Sequence, residues 1–254
     1  MPHPTTLAIT AAGLLAAAAC SMTNSEPASA SPQSQAMASS HVGEAPLVVE
    51  LFTSQGCSSC PPADRLVGDL ARAGQSDGRA VVPLTFHVDY WNDLGWADPY
   101  SLPAWTERQR QYATALGGDR VYTPELVVGG GAGMVGSQSG AVGRAIAGAP
   151  AQAPVTASAT WAAGSVTVTA TAPADADVVV AVWEGQTSTA VPRGENAGET
   201  LASAHVVRRL DRVAAAGQTG SVTVKVDPSW QDVGAVAFAQ RRDMRITGAT
   251  VLRP

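Results

Sequence analysis

Residues 47–62 read LVVELFTSQGCSSCPP, and this stretch decides the fold of the first half of the chain. The apolar run Leu47–Phe52 predicts a buried strand, and Pro61 predicts the start of a helix. Between them lies a C-x-x-C formed by Cys57 and Cys60. A helix N-terminus presents free N–H groups and partial positive charge, which favour a thiolate. The sequence therefore predicts redox chemistry, with Cys57 as the more acidic, attacking sulfur and Cys60 as the less accessible, resolving sulfur.

Two other interpretations of the cysteine pair compete with this one. A structural disulfide that closes so short a loop constrains the unfolded chain by only about 2 kcal/mol, so it is poorly suited to stabilisation. A structural zinc site needs four ligands, and the chain has only three cysteines, four histidines and no second C-x-x-C. We therefore expect no zinc site, although two thiolates alone can hold a soft ion such as Cu(I).

The N-terminal segment predicts export followed by a tether. Residues 1–20 contain an apolar block that is too short to span a bilayer and suits an export signal. Small residues before Cys20 resemble the processing site of bacterial lipoproteins, which would lipidate that cysteine; cleavage near residues 28–30 is the alternative. Residues 21–46 are rich in Ser, Ala, Pro and Gln, which predicts a disordered linker. We therefore expect the protein in the periplasm or cell envelope, where disulfides persist.

Charge and composition exclude several classes of partner and cofactor. A net charge of −5 and a single lysine, Lys225, leave no basic stripe for nucleic acid. Membrane attachment is expected only through a lipid on Cys20, because no second apolar segment is long enough to span a bilayer. We expect no cofactor. The G-x-G-x-x-G at residues 131–136 is explained as turn glycines, because no acidic residue follows at the dinucleotide-binding distance.

The two halves of the remaining chain differ in their hydrophobic pattern. In residues 47–151 strand-like and helix-like stretches alternate, which predicts an α/β layer structure. The predicted strands are 47–52, 80–88, 125–128 and 134–135, and the predicted helices are 63–73, 104–116 and 141–147. In residues 152–254 short β-branched or alternating segments predict an all-β antiparallel sandwich domain. Its predicted strands are 155–161, 165–172, 178–183, 202–208, 221–226, 235–239 and 246–252.

The order of elements in the first half resembles the thioredoxin superfamily. A strand, the C-x-x-C, a helix and a second strand are followed by Tyr122-Thr123-Pro124 and a hairpin. The resemblance implies an α/β thioredoxin-like domain ahead of the sandwich, with a cis bond before Pro124. It also implies that Thr123 and Pro124 bind substrate beside the cysteines.

Three longer motifs give a narrower resemblance. They are ELFTSQGCSSCPP at 50–62, HVDYWNDLGW at 87–96 and RGEN at 193–196. Together they resemble a bacterial family of secreted thioredoxin-like proteins whose biochemical role is unassigned. The aromatic-rich segment 91–112 is larger than in a minimal thioredoxin, and we expect it to cap the core, with a substrate groove as the alternative. A fold resemblance does not fix a reaction.

Three polar side chains near the cysteines in the sequence each allow more than one interpretation. Glu50 interrupts the apolar strand, so a buried carboxylate there would shuttle a proton to or from Cys60; otherwise it is exposed or paired at the strand edge. His87 offers a proton relay or a metal ligand, or is satisfied by hydrogen bonds. Asp64 follows Cys60 by one helical turn, where it tunes the thiol's electrostatic field or is simply solvated.

These observations predict a cell-envelope thiol–disulfide oxidoreductase. Its substrates would be protein or small-molecule thiols and disulfides, and Cys57 and Cys60 would carry the exchange. The alternative, from a different class, is a protein that binds copper or makes non-enzymatic interactions through the same two cysteines. The direction of electron flow stays open, because Ser58-Ser59 between the cysteines differs from well-studied thioredoxins and this spacer helps to set the reduction potential.

Overall fold

The computed structural model of the protein describes residues 45–254. The predicted export segment at 1–20, the lipidation site Cys20 and nearly all of the linker at 21–46 lie outside the described residues. The α-helices are α1 (Pro61–Ala73), α2 (Pro103–Ala115) and α3 (Ser139–Gly148), and a short 3-10 helix spans Asn92–Leu94. The strands are β1 (Leu47–Thr53), β2 (Gln75–Ser76), β3 (Arg79–His87), β4 (Glu125–Val128), β5 (Ala132–Val135), β6 (Thr156–Ala162), β7 (Ser165–Thr171), β8 (Asp177–Ala190), β9 (Thr200–Ala214), β10 (Thr219–Lys225), β11 (Gly234–Gln240) and β12 (Ile246–Leu252).

Strands β1 and β3 form a parallel pair at the centre of the first half. Every residue of β1 is buried, which explains why it reads as an apolar run interrupted only by Glu50 before Thr53. Two parallel strands need a crossover connection, and α1 provides it. The helix begins at Pro61, where a missing N–H is harmless, and ends at Gly74, which adopts a left-handed φ of 64°.

One mixed sheet joins strands from both halves of the chain. Within residues 45–254 its order is β12-β11-β8-β9-β3-β1-β4-β5, and β2 pairs with β3 as the ninth strand. The join lies between β3 and β9, where Thr85 pairs in parallel with Val206. The buried Thr85 hydroxyl also donates to the Ala204 carbonyl at 2.7 Å, and His205 Nδ1 lies 2.9 Å from the Pro83 carbonyl oxygen.

The predicted fold class, a thioredoxin-like α/β domain followed by an antiparallel sandwich domain, is therefore wrong. Strand β9 covers the edge of β3, whose N–H and C=O groups would otherwise be unpaired. Most of the described elements are strands, and three α-helices accompany them. The proposed boundary near residue 152 falls in the connection from α3 to β6. Whether 47–151 and 152–254 fold independently stays a prediction.

The packing of the core follows from this shared sheet. One face carries a single core that combines Phe52 and Phe86 from the first half with Trp183 and Phe238 from the second. On the other face, β1 packs against α1 and α3. Further along that face, β8 and β11 pack against a second sheet with the order β10-β7-β6. No helix within the described part of the chain is long and apolar enough to cross a membrane.

Candidate functional site

The turn between β1 and α1 holds the C-x-x-C. Cys57 and Cys60 form a disulfide with a Cα–Cα distance of 5.4 Å. Cys60 is the residue before helix α1, and its carbonyl accepts the N–H groups of Ala63 and Asp64 at 2.9 and 3.1 Å. The two sulfurs therefore lie where a helix begins, as the sequence predicts.

Neither cysteine has any exposed surface, although Ser58 and Ser59 between them are exposed. The structure therefore does not show the predicted difference in accessibility between Cys57 and Cys60. Cys57 Sγ lies 3.3 Å from the Ser59 hydroxyl, and the turn that carries it is covered by two loops that are distant in sequence and hydrogen-bond to it.

The first covering loop is residues 191–199, which connect β8 to β9 and are called the 191–199 loop below. The Asn196 side-chain amide donates to the carbonyls of Gln55 and Cys57 at 2.9 and 3.0 Å. The Glu195 carboxylate accepts the Ser58 N–H at 3.0 Å. Hydrogen bonds from Ser58 lower the pKa of Glu195. These two residues belong to the RGEN motif, which the sequence marks as a family signature without indicating that it reaches the cysteines.

The second covering loop connects β3 to α2 and contains Trp91 and Trp96. The Trp96 ring N–H donates to the Gln55 side-chain oxygen at 3.1 Å. This loop also supports the first one, because a Cβ added to Gly95 would lie 3.3 Å from Gly194 Cα. Both loops therefore meet at the turn that precedes Cys57.

Thr123 is connected to the same turn through Trp91. The Thr123–Pro124 peptide bond is cis, as the thioredoxin resemblance implies. The Trp91 ring N–H donates to the Thr123 hydroxyl at 2.8 Å, and Trp91 Cβ lies 3.2 Å from a Cβ built on Gly56. Trp91 thus links Thr123 to the segment that carries Cys57. A substrate-binding role for Thr123 and Pro124 stays a prediction.

Glu50 is fully buried but faces away from the cysteines. The Arg108 Nε–H donates to Glu50 Oε1 at 2.7 Å, and the Tyr112 hydroxyl donates to Oε2. Both partners lie on α2, whereas the flanking Leu51 packs in the core formed with α1. Because successive strand residues point to opposite faces, the pleat directs Glu50 to the α2 face. The structure therefore does not bring Glu50 to Cys60, and its carboxylate is held in a structural ion pair.

A cluster of titratable side chains lies on the α1 face instead. The Thr53 hydroxyl donates to Asp64 Oδ2 at 3.2 Å, and Thr53 pairs with His87 in the β1–β3 register. His87 Nδ1 lies 2.7 Å from Asp98 Oδ2. Within residues 45–254, Asp64 Oδ1 and His87 Nε2 are buried and have no hydrogen-bond partner. Buried polar atoms are rarely left without a partner, so this cluster is a candidate for chemistry.

Burial and mutual charge set the protonation states in this cluster. Burial raises the pKa of Asp64 to about 7, although the nearby His87 opposes the shift. Burial also disfavours the charged form of His87, but the charge and hydrogen bond of Asp98 outweigh it and raise the His87 pKa. The Asp98 pKa is lowered, because His87 and the N–H groups of Gln55 and Tyr100 outweigh burial. An Asp98–His87 ion pair therefore faces a carboxyl group that titrates near neutral pH.

The fold and site define a mixed-sheet protein with a covered C-x-x-C disulfide at the start of a helix. The chain belongs to the family described as "Protein of unknown function (DUF1223)", which matches residues 48–240. It is 30% identical to a protein from Agrobacterium tumefaciens of known X-ray crystal structure, over 83% of this chain and 96% of that chain, with a TM-score of 0.65. HBP35 of Porphyromonas gingivalis is 17% identical over 82% of this chain and 74% of that chain; its TM-score of 0.56 indicates a similar fold. No curated protein matches the chain.

The ion pair of Glu50 and Arg108 generates a stability prediction. Arg108→Met leaves the Glu50 charge buried without its partner, so we expect the free energy of unfolding to fall by about 3–5 kcal/mol. The double variant Glu50→Leu/Arg108→Met removes both charges and should recover much of this loss. Urea denaturation followed by circular dichroism measures both free energies. Equal destabilisation of the single and double variants would contradict this account.

Proposed function

We propose that the protein is a cell-envelope thiol–disulfide oxidoreductase in which Cys57 and Cys60 exchange with protein or small-molecule disulfides. The observation that carries this proposal is the disulfide between them at the first residues of α1. When the disulfide is reduced, the helix N-terminus stabilises a thiolate there. So short a loop contributes little to folding stability, which favours a reactive role over a structural one. The export signal expected from the sequence supports a compartment where such exchange has substrates.

The proposed cycle transfers two electrons and needs no cofactor. In the reducing direction, the Cys57 thiolate attacks a substrate disulfide, forms a mixed disulfide and releases one substrate thiolate. Cys60 then loses its proton and attacks the Cys57 sulfur, which restores the Cys57–Cys60 disulfide and releases the second thiolate. The substrate disulfide is reduced to two thiols while the protein dithiol is oxidised. In the oxidising direction the same steps run in reverse, and Thr123 and Pro124 would contact the substrate in both.

Asp64 is the side chain that we assign to hold the Cys60 proton. It follows Cys60, the residue that caps the start of α1, by four residues, a spacing that brings two side chains together on one face of a helix. Its Oδ1 is buried without a hydrogen-bond partner among the described residues, and its pKa of about 7 lets it accept and return a proton near neutral pH. Ionised His87, held by Asp98, stabilises the carboxylate form of Asp64.

Copper binding, the alternative from the sequence, has less support. Two thiolates can hold Cu(I), so Cys57 and Cys60 remain possible ligands once reduced. Within residues 45–254, however, no group of three or more His, Cys, Asp and Glu side chains is arranged to hold a metal ion. Stoichiometric Cu(I) retention by the reduced protein, together with negligible disulfide exchange, would favour this alternative.

Single cysteine variants test the proposed roles. Cys57→Ser should lower the dithiothreitol-driven reduction of insulin by at least about 10²-fold, because the attacking sulfur is lost. Cys60→Ser should still form the mixed disulfide but should not resolve it, so the adduct accumulates and is visible by mass spectrometry. The control is Cys20→Ser, which should react like the wild type. Full activity in Cys57→Ser would falsify the proposal.

The pH dependence of the resolving step tests Asp64. The reduced protein is mixed with an aromatic disulfide, and release of the second chromophoric thiolate reports attack by Cys60. Because only the carboxylate accepts a proton, the wild-type rate should rise with pH through about 7, whereas Asp64→Asn should be slower by about tenfold or more and lack this inflection. Asp69→Asn, on an exposed position of the same helix, is the matched control.

Equilibrium stability gives Asp64 a second, independent readout. A raised pKa means that the folded state binds the proton more tightly than the unfolded state, so the Asp64 contribution to stability should fall as pH rises from about 4 to about 7 and then level off. Asp64→Asn should remove the decline between about pH 4 and 6.5, whereas the decline above pH 6.5 that the raised His87 pKa produces should remain. A wild-type pH profile in both the kinetic and the stability measurement would contradict the assignment.

A further inference from the structure

The 191–199 loop forms the end of the long β8–β9 hairpin and has backbone hydrogen bonds of its own. Strands β8 and β9 pair as far as Ala190 and Thr200, which fixes where the loop begins and ends. Inside it, the Val191 N–H donates to the Glu199 carbonyl at 2.9 Å and the Gly198 N–H donates to the Val191 carbonyl at 2.8 Å. These hydrogen bonds lie within the hairpin and involve no group of the turn that carries Cys57.

Two adjacent residues of the loop, Glu195 and Asn196, form the hydrogen bonds that hold it against the turn between β1 and α1. Asn196, which is buried, binds the carbonyls of Gln55 and Cys57, while Glu195 accepts the N–H of Ser58. Exchange requires access to a sulfur, and Cys57 has none while the loop is seated. Asn196 and Glu195 thus hold the loop against the residues on both sides of the Cys57 sulfur, so a disulfide that reaches this sulfur approaches beside the loop.

The charge of Glu195 acts on any molecule that approaches Cys57. Its carboxylate is exposed to solvent and binds the residue directly after Cys57. The hydrogen bonds from Ser58 lower its pKa, so it carries its negative charge at neutral pH. Two unit charges a few ångströms apart in water interact strongly enough to change a rate about threefold or more, and salt screens this effect.

We infer that the 191–199 loop gates Cys57 and that Glu195 makes the site select neutral and cationic disulfides over anionic ones. The inference rests on the proposed function and names its substrate class: disulfides flanked by basic or uncharged groups, either in small molecules or in protein segments. Asn196 controls how often the gate opens. Glu195 controls which charge is admitted.

Two disulfides of opposite charge test the selectivity in the full-length reduced protein. Stopped-flow tryptophan fluorescence follows oxidation by cystamine, which is cationic, and by oxidised glutathione, which is anionic. Each rate is divided by that of free dithiothreitol with the same disulfide, which removes intrinsic reactivity. The wild type should favour cystamine, and Glu195→Gln should shift the ratio toward glutathione by about tenfold. High salt screens the Glu195 charge and should therefore also reduce the preference of the wild type for cystamine.

Matched variants separate gating from charge selection. Asn196→Ala should accelerate both reactions by a similar factor, about tenfold, because it loosens the loop without changing its charge. Glu199→Gln removes an acidic group from the same loop. Its exposed side chain takes no part in the hydrogen bonds to the turn that carries Cys57, so the ratio should stay at the wild-type value. Circular dichroism checks that every variant is folded.

The outcomes distinguish this inference from the proposed function. An unchanged charge ratio in Glu195→Gln, or unchanged rates in Asn196→Ala, would overturn the gate while insulin reduction by the wild type still supported the oxidoreductase. Reduction of the Cys57–Cys60 disulfide by dithiothreitol is measurable even without turnover. If the variants accelerated that reduction while no substrate disulfide turned over, the gate would stand and the proposed function would fail.

Discussion

The pairing of β9 with β3 is the constraint on which the rest of the structure depends. It is a short contact, one ladder pair between Thr85 and Val206 strengthened by the buried Thr85 hydroxyl. Its consequences are long-range. It makes one sheet of strands from both halves, lets Trp183 and Phe238 share a core with Phe52, and directs the far end of the β8–β9 hairpin onto the C-x-x-C. The same hairpin therefore completes the fold and covers the site.

Two clusters of charged side chains lie on opposite faces of β1. Their hydrogen bonding differs, and this difference indicates which cluster is structural and which is a candidate for chemistry. The Glu50–Arg108 pair is well satisfied, because Tyr112 and Gln240 supply further hydrogen bonds and aromatic rings flank the guanidinium. Such a pair holds one arrangement and has no need to change its charge. The cluster of Asp64, His87 and Asp98 leaves polar atoms without partners and contains a carboxyl group that titrates near neutral pH. We therefore assign proton transfer to this cluster and not to the Glu50–Arg108 pair.

The local elements were largely predictable from the sequence, because they follow from short-range patterns. The strand at 47–52, the helix after Cys60 and the strand at 246–252 lie within a few residues of their predicted ends. Strands β8 and β9 were predicted as short segments and extend far beyond them. Their outer parts are polar and half exposed, so they lack the apolar alternation that marks a strand. This extension is what carries the 191–199 loop to the cysteines.

The position of the two cysteines could be predicted from the sequence, whereas the side chains that surround them could not. The spacing of Cys57 and Cys60 and the proline after them identify a disulfide at a helix start without any tertiary information. Which face Glu50 occupies depends on a single step of the pleat, and sequence alone does not fix that register. Asp98 joins His87 across a loop, and Asn196 reaches Cys57 from the second half of the chain. No local pattern encodes contacts of that kind.

The equilibrium reduction potential of the Cys57–Cys60 pair tests the central claim most directly. The purified protein is equilibrated in graded dithiothreitol redox buffers, quenched with acid, alkylated and quantified by mass. An exchanging pair should titrate between about −270 and −120 mV, the range of known dithiol oxidoreductases, and should do so reversibly. A potential below about −300 mV, typical of structural disulfides, would contradict the account.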